Sequence, residues 1–315
     1  MMKKVSIVMC TYNGEKYLSQ QLDSILNQTY PIYELYIQDD GSSDSTIEII
    51  EEYQKKHPII HYSVNSEQKG INENFYSALE KVKGNYIAIA DQDDIWLPEK
   101  IEKEMNCIGD NYLCFCLSEP FGEGKELHFD SNYPNFGLMR LSVCNVVSGH
   151  TILMKKELLQ LLQYKNKQVY YDCTLALLAA AHNKITFCNE ILCRHRRLND
   201  SATFNPNPIS PEKTVENGFY LLSSALKKRR RLKNRANEFF SEMHLFLSKT
   251  NGQSPYLSDA MQLTKLLSKQ GFFSTLQAMI LCVKRRDEIF YKKDNNALRS
   301  IARAMCHPFL CYHYL

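Results

Sequence analysis

Glycine and proline are sparse in this chain, 12 and 10 in 315 residues, too few for collagenous, low-complexity or largely disordered material. A glycine-rich phosphate loop is missing as well. The first β-like segment, Val5-Ser6-Ile7-Val8-Met9-Cys10, runs into Thr11-Tyr12-Asn13-Gly14, where a dinucleotide would need the backbone approach of G-x-G-x-x-G. That excludes a Rossmann dehydrogenase, and the Walker signature is equally absent. Long apolar runs are also wanting: the longest uncharged stretch near the end, residues 271–283, is short and interrupted by Ser274, Thr275 and Gln277. No bilayer span is expected, and Met1-Met2-Lys3-Lys4 leads into the first strand without the apolar core of a secretory signal. The 11 cysteines form an odd set scattered through apolar segments. This argues against a disulfide framework and for a reducing, cytoplasmic setting.

What is present is a folded chain, 44% hydrophobic and 23% charged, whose net charge of +3 hides an asymmetry. From Lys213 to Leu315, 18 Lys and Arg stand against 7 Asp and Glu, a balance of +11. The preceding residues hold 20 basic and 28 acidic side chains, a balance of −8. An acidic body suits divalent-cation chemistry, and a basic tail suits an anionic surface.

The first hundred residues alternate strand and helix. After the first strand, Leu18, Leu22, Ile25 and Leu26 recur at helical spacing. Leu35-Tyr36-Ile37 then ends in Asp39-Asp40-Gly41-Ser42-Ser43-Asp44, and Ser45 with Glu48 reads as a capping box. Residues 59–64 give a third strand, Phe75, Ala78, Leu79 and Val82 a third helical stripe, and Tyr86 to Ala90 a fourth strand before Asp91-Gln92-Asp93-Asp94. Pro98 opens a further helix containing Ile101 and Met105. The pattern predicts an α/β fold with a mostly parallel sheet and flanking helices. Ligands of such sheets bind at the carboxyl ends of the strands, which brings Thr11-Tyr12-Asn13, Asp39-Asp40 and Asp91 to Asp94 together. With no phosphate loop, a divalent cation bridging diphosphate oxygens is the natural substitute, and Asp91, Asp93 and Asp94 are candidates to hold it. The competing reading is that these carboxylates cap the following helix.

Three segments, Val5 to Gly14, Ser24-Ile25-Leu26-Asn27-Gln28-Thr29-Tyr30 and Asp39 to Thr46, together with Asp91-Gln92-Asp93-Asp94-Ile95-Trp96, resemble the family 2 inverting glycosyltransferases. The stretch Asp91 to Lys100 is most similar to rhamnosyltransferase-like enzymes that build bacterial surface polysaccharides. The resemblance continues more weakly through Ser148-Gly149-His150-Thr151 and Tyr171-Asp172. It implies a glycosyltransferase A fold, a nucleoside diphosphate sugar donor and a saccharide or lipid-linked saccharide acceptor. By that resemblance Thr11, Tyr12 and Asn13 line the nucleotide pocket and Asp40 accepts a hydrogen bond from the pyrimidine base. Asp91 lies near ribose and metal, and Asp93 binds the cation, Mg2+ or Mn2+. The base that deprotonates the acceptor falls at Asp172, whose alternative reading is a helix N-cap. In Arg194-His195-Arg196-Arg197-Leu198-Asn199 the family's His falls one place early. Either Arg196 contacts the diphosphate or the register shifts by one, with no metal role assumed for His195. His150 is placed on the acceptor side, against the alternative of an ordinary hydrogen-bonded histidine.

The organisation expected is a catalytic domain over residues 1–205, its donor half at 1–110 and acceptor half at 111–205, followed by a helical basic region at 206–315. Residues 121–145, rich in Pro and Gly, read as a mobile acceptor loop, and Cys114-Phe115-Cys116 as strand rather than metal site. Near the end, Phe272, Phe273, Leu276, Met279 and Ile280 run into Lys284-Arg285-Arg286, as an earlier stripe runs into residues 227–233. Such helices either pack on the body or meet an anionic leaflet at the inner face of the cell membrane. Two other functions compete: an inactive glycosyltransferase-like scaffold, and nucleic-acid binding through the tail. The intact acidic positions count against the first. The second lacks a recognisable binding module, so no nucleic-acid partner is expected.

Overall fold

The computed structural model describes residues 3–122, 134–166, 168–198, 223, 226, 227, 229, 231–290 and 296–311. Strands β1 (Val5–Thr11), β2 (Glu34–Asp39), β3 (Ile60–Val64) and β4 (Tyr86–Ala90) alternate with helices α1 (Leu18–Leu26), α2 (Thr46–Lys56) and α3 (Ile71–Lys81). Then follow β5 (Ile95–Trp96), α4 (Lys100–Ile108), β6 (Leu113–Gly122), α5 (Leu138–Leu141), β7 (Ile152–Lys155), α6 (Glu157–Gln160), α7 (Tyr171–Ala181) and β8 (Ile185–Arg197). Eight strands make one sheet, ordered β3-β2-β1-β4-β7-β6-β8-β5. The run β3-β2-β1-β4 is parallel throughout. Strand β7 runs back between β4 and β6, and β5 is antiparallel to β8, so the second half is mixed.

Alternation along β1 builds the two faces. Ile7 and Met9 enter one core with α1, whereas Val8 enters the other with α3 and α7, and all three are fully buried. A strand covered on both sides can be apolar at nearly every position, as this one is. Helix α7 follows the same logic: every residue but Asp172 is buried, as expected of a helix that is apolar all round.

Helices α8 (Lys233–Ser248), α9 (Leu257–Lys269), α10 (Phe272–Lys284), α11 (Arg286–Ile289) and α12 (Ala297–Leu310) form the C-terminal region. Phe240, Met243, Leu263 and Leu281 share one core with Leu175 to Ala181 of α7. The expected boundary at 205/206 lies outside the described residues.

Two expectations change. Ser45 occupies the N-cap of α2 but makes no capping bond with its side chain. Asp44 Oδ1 instead accepts from the Thr46 N–H at 3.1 Å, and the Ser45 N–H donates to Glu15 Oε2 at 2.9 Å. Of the segment read as a mobile loop, residues 123–133 lie outside the described ones. Leu138, Met139, Leu141 and Val143 are core residues. Asn135 Nδ2 ties this stretch to the carbonyls of Glu288 and Phe290 at 3.0 and 2.9 Å, which anchors it.

Candidate active site

The site is built where β1, β2 and β4 end. Thr11 pairs with Asp39 in the ladder, and the buried Asp39 carboxylate joins the two strand ends. Its Oδ2 accepts from Thr11 Oγ1 at 2.7 Å and Ser42 Oγ at 2.6 Å; its Oδ1 accepts from the N–H groups of Gly41 and Ser42 at 2.9 and 2.8 Å. Asp40 faces the other way. Its Oδ1 accepts from Asn65 Nδ2 and the Lys69 N–H, and its Oδ2 from the Gly70 N–H, all at 2.8 Å. Gly70, with φ 78°, adopts the left-handed backbone this turn requires. A carboxylate has about four acceptor positions, so Asp40 shapes the cleft wall and retains one for a ligand.

The first and fourth strand ends are joined by one amide. Gln92 Oε1 accepts from the Tyr12 N–H at 2.9 Å while Gln92 Nε2 donates to the Tyr12 carbonyl at 3.1 Å. Gly14 leaves the room for it: a Cβ there would lie 2.5 Å from Gln92 Oε1. Asn13, at φ 48°, binds the Ser43 N–H through Oδ1 at 2.8 Å.

The acidic motif has three different carboxylates. Asp94 is fully buried and meets two imidazoles, His195 Nδ1 at 3.0 Å and His150 Nδ1 at 3.8 Å. Burial alone would raise its pKa, but the two histidines hold it below the usual carboxylate value. Asp91 lies 3.4 Å from His150 Nδ1. His150 is buried, which disfavours its charge, yet Asp94 and Asp91 outweigh burial and raise its pKa. Its Nε2 meets Ser118 Oγ at 3.0 Å, and its ring stacks on His195 with centroids 4.3 Å apart and planes 7° apart. Asp93 is pushed up to about 7 by burial and by repulsion from Asp94 and Asp91.

Asp91, Asp94, His150 and His195 each bring one ligand atom, all within 4.8 Å of one another. Two oxygens and two imidazole nitrogens fit a first-row divalent cation and suit Mn2+ better than Mg2+, which prefers oxygen throughout. Asp93 stands outside this group of four. Its main chain serves Arg196, whose Nε donates to the Asp93 carbonyl at 2.8 Å. Arg196 Nη2 donates to Gln20 Oε1 at 2.7 Å, and the guanidinium lies over the rings of Tyr17 and Phe121 at 4.1 and 4.4 Å. This geometry holds the cation at the cleft edge.

Asp172 projects from the first turn of α7. Tyr170 is the N-cap, so the N-cap reading of Asp172 is set aside; Asp172 Oδ1 accepts from the adjacent Cys173 N–H at 2.6 Å. Burial pushes its pKa up to about 6. Tyr171 anchors the helix start by stacking on Phe75 at 4.0 Å.

Thr11, Tyr12, Asn13, Asp40, Asp91, Asp93, His150, Asp172 and Arg196 all line one cleft of about 1180 Å³. The sequence reading missed Asp39 and Gln92, which lie inside motifs it quoted, and gave His195 no part. The neighbour of each decides its role, and only the displaced register of His195 hinted at one.

Residues 6–185 match Glycosyl transferase family 2. The chain is 28% identical over 207 residues to a putative teichuronic acid biosynthesis glycosyltransferase, TuaG, of Bacillus subtilis, covering 64% of this chain and 82% of that protein. It is 36% identical over 111 residues to the Escherichia coli UDP-Glc:alpha-D-GlcNAc-diphosphoundecaprenol beta-1,3-glucosyltransferase WfgD, covering 35% and 43%. The structure of S. aureus TarS 1-349 in complex with UDP-GlcNAc superposes with a TM-score of 0.60 at 16% identity, covering 98% of this chain and 89% of that TarS 1-349 chain.

Proposed function

The chain belongs to glycosyl transferase family 2, with the glycosyltransferase A fold, and on that premise we propose that it moves a sugar from a nucleoside diphosphate sugar onto a hydroxyl of a lipid-linked precursor of a surface polysaccharide, with inversion. One observation carries this reading: Thr11, Tyr12, Asn13, Asp91, Asp93, cationic Arg196 and half-buried Asp172 share one cleft. The names of TuaG and WfgD support a polysaccharide precursor and a diphospholipid carrier, and the UDP-GlcNAc bound to TarS supports a nucleoside diphosphate sugar. Donor binding falls mainly to residues 1–110, with Arg196 added from the acceptor half at 111–205.

Each residue has a physical task. Thr11, Tyr12 and Asn13 hold the nucleotide, Asp40 keeps one acceptor position for its base, and Arg196 meets diphosphate charge. The Asp172 carboxylate takes the acceptor hydroxyl proton as that oxygen attacks the anomeric carbon opposite the departing diphosphate, which inverts the centre. A divalent cation held by Asp91 and Asp94 with His195 and His150, or by Asp91 and Asp93 as the motif alone implies, would neutralise charge on the leaving diphosphate.

With its pKa at about 6, Asp172 is a working base only above that value, so transfer rises with pH through about 6. Asp172→Asn removes the base at nearly constant shape and is expected to lower transfer by roughly 10² to 10⁴-fold while donor affinity holds. Release of nucleoside diphosphate from a panel of donors with Mn2+ and lipid-linked acceptors measures this. No release from any donor, or full transfer by Asp172→Asn, overturns the reading.

A further inference from the structure

Among the described residues, the four large hydrophobic side chains with more than half their surface exposed all lie on two helices of the C-terminal region. They are Phe272 (79%), Phe273 (77%) and Ile280 (62%) on α10, and Leu298 (79%) on α12. Leu276 and Met305 extend the rows at helical spacing and are also exposed. The opposite faces of the same helices, at Ala278, Leu281 and Ala304, are in the core. Each helix thus has one apolar face packed inward and a second apolar face turned outward. A helix that only covers the body would carry polar residues there.

The setting of this outer face is basic. Exposed Lys269 precedes Phe272 by less than one turn, and Lys284, 61% exposed, follows Ile280 by one turn. Exposed Arg299 adjoins Leu298. Arg229 Nη2 donates to the Gln270 carbonyl and to Thr275 Oγ1, both at 3.0 Å, which brings the exposed Leu226 and Lys227 to the start of α10. No acidic residue occurs in the first turn of either helix. Among the described residues no helix is long and apolar enough to cross a membrane, so contact with a bilayer through this face would be interfacial.

We propose that the outer faces of α10 and α12 dock the protein on an anionic bilayer, with Phe272, Phe273, Ile280 and Leu298 entering the interface and the flanking Lys and Arg meeting lipid headgroups. Charge selects this occupant over a second copy: the region from 213 to 315 carries +11, so two copies would repel where an anionic leaflet attracts. The inference stands apart from the sugar-transfer reading, because its test needs neither donor nor acceptor.

The test is sedimentation of the full chain with vesicles of phosphatidylcholine alone or mixed with phosphatidylglycerol. The protein is expected to pellet with the anionic vesicles. Binding should weaken steeply as salt rises from about 0.1 M to about 1 M and the Debye length shrinks from about 10 to about 3 Å. Phe272→Ser with Phe273→Ser is expected to weaken anionic-vesicle binding about tenfold or more, and Lys269→Glu with Lys284→Glu to abolish the preference for anionic lipid. The serine pair lies at exposed positions, so its melting temperature should stay unchanged; Lys284 also pairs with Asp259 at 3.8 Å, so the charge variant is expected to melt slightly lower yet stay folded at the assay temperature. Equal binding to neutral vesicles, binding that the serine pair leaves intact, or a dimer in solution that the same pair dissolves would each overturn the proposal.

Discussion

Asp93 and Asp94 are neighbours in the chain with opposite electrostatic fates. Asp94 is the more deeply buried, yet His150 and His195 compensate it; for Asp93 the favourable charge of Arg196 is outweighed by burial and by Asp94 and Asp91, and it is pushed up to about 7. The consequence for stability has a definite sign. The unfolded carboxyl loses its proton near the ordinary 3.8, whereas the folded one keeps it to about 7. The contribution of Asp93 is therefore full below 3.8 and is lost as pH rises towards 7. Asp93→Asn removes this dependence. Without added cation, the variant is expected to exceed the parent in stability at pH 8 by about 2 to 4 kcal/mol, and to show little advantage at pH 4. Urea unfolding at the two values measures the difference, and an equal effect at both would mean that Asp93 does not carry the penalty. At this scale the sequence displayed Asp91 to Asp94 as one acidic run. It could not say which member two histidines from distant segments would neutralise.

Helix α4 carries an unusual pair beneath the acidic motif. Lys100 and Glu104, one turn apart, are both fully buried, with Lys100 Nζ 2.7 Å from Glu104 Oε2 and 4.5 Å from the centre of the Trp96 ring. Burial disfavours both charges; Glu104 raises the pKa of Lys100, and the carboxyl of Glu104 is itself held above the usual range. Breaking such a pair leaves one uncompensated charge in the core, which costs more than removing both partners. Lys100→Met is expected to destabilise by about 3 to 5 kcal/mol, and adding Glu104→Leu to restore much of the loss. Comparable denaturation midpoints for the single and double variants would show that the charge pair is not the determinant. The sequence gives α4 an ordinary amphipathic stripe through Ile101 and Met105. Nothing in that spacing shows that β6 and β8 close over its charged side as well.

Over the whole molecule, the C-terminal helices and the sheet share an interior. The Ser254 N–H donates to the Ala181 carbonyl at 2.8 Å, and Gly252 lies so close to that carbonyl that a Cβ would overlap it. Because the obstruction is backbone, Gly252→Ala must shift the α8 to α9 connection away from the end of α7. A loss of about 1 to 3 kcal/mol is expected, read as a lower midpoint in a single cooperative unfolding transition. Separate transitions for the two regions would instead mean that they fold apart.

By itself, the sequence determined the strand and helix alternation, the carboxyl-end location of the polar clusters and the family, because these follow from local periodicity and contiguous motifs. It also set the charge contrast between body and tail. Tertiary structure alone decided the return of β7 between β4 and β6, the approach of His150 and His195 to Asp94, and the anchoring of residues 134–145. It also decided which apolar faces of α10 and α12 remain outside. These depend on contacts between residues tens to hundreds of positions apart, where loop closure and packing, rather than local preference, select the partner.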